Sequence, residues 1–223
     1  MKKLLLLFTI AHFLTSCNGH ETKKMDNKIE KIATAKKDTI KINEIHLNSD
    51  LDKTLIPFGL NKDDNNNSAY NLNLDYEEFS FSPQQNFKFN DLNIGKIKSL
   101  IIYYLKEDNS AFTYELELED NSNCELLIGE FNKNFGKHLF YQKNENTKEH
   151  PIFLDENGEQ ETRHIIEELI KWDDSQHDVS YFVSYKKNLT TNENKLTTIA
   201  ISNAHKKYAE WIDFRSLSMV FPK

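Results

Sequence analysis

Residues 98–119 read KSLIIYYLKEDNSAFTYELELE, and this stretch decides the fold. Residues 98–106 are β-branched and aromatic, while 111–119 alternate strictly, which predicts Phe112, Tyr114, Leu116 and Leu118 on one face. Between the two runs, Glu107-Asp108-Asn109-Ser110 supplies a tight connection. The result is a hairpin with one buried and one wet face, hence part of an antiparallel sheet.

Outward from the hairpin, Asp120-Asn121-Ser122-Asn123 offers capping residues. Leu126, Leu127, Phe131 and Phe135 then recur at helical spacing, with Gly136 at the stop. Leu139-Phe140-Tyr141 reads as a return strand, and 151–154 lead into a turn at Asp155-Glu156-Asn157-Gly158. Ile165, Ile166, Leu169 and Ile170 predict a second helix, closed by Trp172. Strands follow at 179–185 and 195–202, and a last helix over 205–217 should pack Tyr208, Trp211 and Ile212 on the sheet.

Before the hairpin, 76–81 and 87–89 read as strands broken by Ser82-Pro83-Gln84-Gln85, and 62–68 as a polar surface turn. Ile45-His46-Leu47 reads as a strand ahead of Asn48-Ser49-Asp50, then Leu51, Leu55, Ile56, Phe58 and Gly59. This is a faint copy of the later strand and helix step, a weak internal duplication. The order implies an α+β fold in which helices cover one face of an antiparallel sheet. Some 185 residues from Ile40 suffice for a single domain, 40–223, or for two sub-halves, 40–120 and 121–223, sharing a sheet.

At the start of the chain, Lys2 and Lys3 precede an apolar run from Leu4 to Leu14, followed by Thr15-Ser16-Cys17. The run is too short to span a bilayer, and its basic start and small residues mark 1–16 as a cleavable export signal. Leu14-Thr15-Ser16-Cys17 resembles the lipobox of bacterial lipoproteins. That resemblance implies that Cys17 receives a diacylglyceryl thioether, that cleavage precedes it, and that the new amine is acylated. Several acyl chains would hold the protein on a membrane. Asn18 departs from the Asp that marks inner-membrane retention, so the resemblance favours the outer membrane. Residues 17–39 then comprise the lipidated Cys and a polar tether about 25 Å long, on which Met25, Ile29 and Ile32 form a short stripe.

Frequent Asn, 26 Lys against two Arg, and scarce Gly and Pro resemble exported proteins of Bacteroidota-type bacteria. Asp38-Thr39-Ile40 is similar to the short sequence at which such proteins are O-glycosylated, which implies a sugar on Thr39. Without the signal the chain carries 26 basic and 35 acidic residues, net −9. The stretch from Asn18 to Lys41 is +3 and the rest −12, a balance that argues against nucleic-acid partners.

The densest chemistry lies at Trp172-Asp173-Asp174-Ser175-Gln176-His177-Asp178, where Asp173, Asp174, His177 and Asp178 are candidate ligands for a cation. Turn chemistry explains the same residues, and the acidic loops at Asp63-Asp64 and Asp155-Glu156 lack the spacing of a calcium loop. Once Cys17 is acylated, Cys124 is the one remaining thiol, expected as a small buried residue. The six glycines form no phosphate loop or dinucleotide fingerprint, and nothing calls for a cofactor. Two readings follow. One is a lipid-anchored binding or structural module that meets an envelope protein or small ligand through aromatics such as Tyr103, Tyr114, Tyr181 and Phe182. The other is an envelope hydrolase or metal-binding protein using the Asp173/Asp174/His177 region.

Overall fold

A computed structural model of the chain describes residues 37–66, 74–119, 123–154 and 160–222, with backbone alone over 146–154 and 160–163. The export signal, Cys17, the tether stripe, Asp155-Glu156-Asn157-Gly158 and residues 120–122 lie outside the described residues.

In chain order the elements begin with β1 (Thr39–Lys41), β2 (Ser49–Asp50), α1 (Leu51–Leu55), β3 (Tyr76–Ser80), β4 (Asn86–Phe89) and β5 (Leu92–Gly95). The hairpin β6 (Ser99–Leu105) and β7 (Ser110–Glu119) precedes α2 (Cys124–Phe135). Four strands follow: β8 (Phe140–Leu154), β9 (Gln160–Asp174), β10 (Val179–Asn188) and β11 (Asn194–Ser202). The last elements are α3 (Tyr208–Phe214) and α4 (Leu217–Val220).

The large sheet runs β3-β6-β7-β11-β10-β9-β8, with β2 added beside β7, and every pairing in it is antiparallel. A smaller sheet, β1-β4-β5, contains one parallel pair, β1 with β4. The hairpin stands where its pattern predicts, but its second face is wet only toward Lys98, Glu117 and Glu119, and is covered at the Tyr103 and Phe112 end. Tyr104 pairs with Ala111 and Tyr103 with Thr113, so Phe112 is an extra residue in β7. This bulge turns Phe112 away from Tyr114, Leu116 and Leu118 and onto the opposite face.

Each face therefore carries its own core. On the first, Leu100, Ile102, Tyr114, Leu116, Trp172, Val183 and Leu196 pack with Leu51 and Leu55 of α1, Leu127 and Phe131 of α2, and Ile40, Phe87 and Ile94 of the small sheet. On the second, Tyr103, Phe112, Phe182 and Ile201 pack with Trp211, Leu217 and Phe221. Helices on a single face were expected; α2 contributes to one cluster and α3 and α4 to the other. Tyr208, Trp211 and Ile212 meet the sheet as their spacing predicts. The helix expected over 205–217 is α3 alone, 208–214; Ser216, at φ 53°, separates it from α4, which starts at Leu217.

Three further expectations are corrected. Residues 165–172 are strand, not helix: adjacent apolar pairs place one residue on each face, and Leu169 and Ile170 pack into the two opposite clusters. That pattern imitates helical spacing. Ile45-His46-Leu47 forms no strand, and the stops of the supposed duplication differ: Gly59 is left-handed helical, at φ 67° and ψ 27°, whereas Gly136 takes φ 76° and ψ −148°. Leu126 is 55% exposed, since Cys124, Leu127 and Phe131 define the inner stripe of α2 and its neighbour in sequence lies about 100° round the helix.

Candidate functional site

Because β9 is a strand, Asp173 and Asp174 leave it on opposite faces. Asp173 Oδ1 accepts a hydrogen bond from Ser180 Oγ at 2.6 Å. Asp174 turns back into the β9–β10 turn, where Oδ1 accepts the N–H groups of Gln176 and His177 at 3.0 and 3.3 Å, and Oδ2 lies 2.6 Å from His177 Nδ1. Asp178 occupies the left-handed region at φ 55°, and its carbonyl accepts the Asn203 N–H. The structure thus joins Asp174 to His177 and separates both from Asp173. His177 borders a cleft of about 80 Å³ with Asn43, His46 and Tyr181. Among the described residues, no three His, Cys, Asp or Glu side chains converge as a metal site.

A second constellation was not apparent from sequence. Ser110 Oγ, at the start of β7, lies 2.8 Å from His205 Nε2 and 2.5 Å from Asp108 Oδ1. Serine, histidine and aspartate suggest a nucleophile, yet the wiring opposes it. His205 Nδ1 accepts the Lys207 N–H at 3.1 Å, so the neutral ring carries its proton on Nε2 and donates to Ser110. The Ser110 hydroxyl then donates to Asp108, whose carboxyl is held well below the usual range by hydrogen bonds from Ser110 and then Lys206. A general base must accept the hydroxyl proton, and His205 is already protonated at the contacting nitrogen. Burial against Phe112, with ring centroids 5.3 Å apart, pushes the His205 pKa down. The network ties the hairpin turn to the loop after β11. Beside it lies a depression of about 490 Å³, lined by Asp75, Leu105, Lys106, Glu107, Lys206, Lys207 and Glu210.

On the second face, Glu115 of β7 pairs with Arg215, which follows α3. Arg215 Nη2 donates to Tyr103 Oη at 3.3 Å, and its guanidinium lies 5.2 Å from the Trp211 ring. Burial raises the pKa of Glu115 and of the Tyr103 phenol, with Arg215 opposing the rise in both. One of the two arginines thus clamps the C-terminal helices to the sheet.

The remaining candidates resolve into structure. Tyr103, Tyr114, Tyr181 and Phe182 are all buried, so none offers the binding surface expected of it; a sheet covered on both sides sends both sets of alternating residues inward. Cys124 is buried in the first cluster at the start of α2. Thr39 opens β1, half-buried and in register with Asn86. Lys62, Asp63 and Asp64 form a short 3-10 turn capped by Asn61. No helix among the described residues is long and apolar enough to cross a membrane. Comparison of the chain with protein-family models, with curated proteins and with solved structures gives no match.

Proposed function

We propose that the chain is a lipid-anchored protein of the bacterial envelope, held at Cys17 and acting as a non-catalytic binding or structural module. The wiring of Ser110 and His205 carries the second half of this reading: among the described residues, the hydroxyl and imidazole pair of hydrolase type has its proton on the wrong atom. Asp174 and His177 support it, since the carboxylate oxygens are engaged by the turn itself. The lipobox supports the anchor, and Asn18 after it supports the outer membrane as its site. A partner would be another envelope protein or a small ligand; the net −12 of the residues after Lys41 disfavours nucleic acid.

The test is cross-linking in intact envelopes of the native host, followed by affinity capture. Wild type and the Ser110→Ala and His177→Ala variants should recover the same partner in the same yield. Substrate turnover lost on either substitution, or a chain recovered alone, would overturn the proposal.

A further inference from the structure

Strand β8 ends the large sheet, and among the described residues nothing pairs with its outer side. The direction of its peptide groups follows from the neighbouring ladders. Leu189 N–H donates to His164 C=O at 2.8 Å, and His164 N–H points the same way, to Thr190 Oγ1 at 3.1 Å. His164 therefore aims its backbone at β10. Ile165 and Glu167 then aim theirs at β8, where they face Asn146 and Asn144. By alternation, Tyr141, Lys143, Glu145 and Thr147 turn their N–H and C=O groups outward, free to join another strand.

Two copies related by a dyad can pair these edges only by matching outward residues with outward residues. Charge then selects the register. A dyad at Lys143 sets two ammonium groups opposite one another, and one at Glu145 sets two carboxylates together. A dyad at Asn146 brings in Pro151, which has no N–H to give, and one at Gln142 leaves both charges without an opposite partner. A dyad at Asn144 places each Lys143 opposite Glu145 of the second copy. Both side chains are about half exposed, and their links within the chain, Lys143 to Glu168 at 4.0 Å and Glu145 to His164 at 2.7 Å, leave them on the same face of the edge. Leu139 and Tyr141, 64% and 46% exposed, would gain cover there.

We propose that β8 is a self-association edge, joining two copies of this chain into one continuous antiparallel sheet in the register centred on Asn144. The full chain in detergent should sediment as a dimer that dissociates on dilution from about 100 to about 1 μM. Asn144→Cys falls on the dyad at a non-hydrogen-bonded position, where facing Cα atoms stand about 4.5 Å apart, within disulfide reach. It should form a linked dimer on mild oxidation. Gln142→Cys alone should not, but should link when mixed with Asn146→Cys. Lys143→Glu should weaken the dimer about tenfold, and Lys143→Glu combined with Glu145→Lys should restore it. A monomer at every concentration, cross-linking indifferent to position, or a dimer unaffected by the charge reversal would each overturn the proposal.

Discussion

Replacing Phe131 by Ala removes the ring on which the first core converges. Phe131 is 1% exposed and lies 4.9 Å from Phe89, 5.6 Å from Phe135, and 5.5 Å from both Trp172 and Tyr181, centroid to centroid. Deleting a buried ring of this size costs about 3–5 kcal/mol, and four aromatic neighbours losing ring contacts place this site near 4 kcal/mol. The backbone around it is held by β9 and by the Trp172 Nε1–H bond to Asn132 at 3.2 Å, so the cavity collapses little. For a domain of this size the loss corresponds to about 8–16 °C in Tm. Urea unfolding followed by tryptophan fluorescence measures it, with Leu126→Ala as the exposed control, expected within about 0.5 kcal/mol of wild type. A loss below about 1 kcal/mol at Phe131, or above it at Leu126, would refute the packing of α2.

Three other outcomes are expected. Burial depresses the His205 pKa below 6.5, so the unfolded chain takes up this proton first on acidification; the stability it contributes above about pH 6.5 is lost as pH falls through the folded value, and His205→Gln should flatten that decline in urea midpoints between pH 7.5 and 5. Glu115 has the opposite sign: its folded pKa is raised above 4.5, so its contribution falls as pH rises through the raised value, and Glu115→Gln should steepen the gain with pH that His205→Gln removes. Slopes unchanged in either variant would dispose of the corresponding assignment. Cys124, sealed in the core, should react slowly with maleimide until the chain is unfolded, and fast labelling of the native protein would place it at the surface.

The hairpin was legible because β-branched runs and strict alternation are strong local signals, and α2 because its inner stripe and its glycine stop agree. At β9 one assumption misleads: that the sheet is wet on one side there. Leu169 and Ile170 pack into the two opposite clusters, so such an adjacent apolar pair is a strand's signature although its spacing imitates a helix. That error carried into chemistry, since Asp173 and Asp174 share a turn only if no strand alternation separates them. The Phe112 bulge leaves no mark in the local pattern; it shows only once β6 is in register. Ser110 and His205 meet across 95 residues through the β7–β11 pairing, beyond any motif.

Attachment at Cys17 is tested most directly by one measurement: the mass of the N-terminal peptide of the protein extracted from native envelopes. The lipobox predicts a chain that begins at Cys17 and carries a diacylglyceryl thioether and an acylated amine, with Cys17→Ser abolishing fatty-acid labelling. An unmodified Cys17, or a Ser variant that still labels, would contradict it.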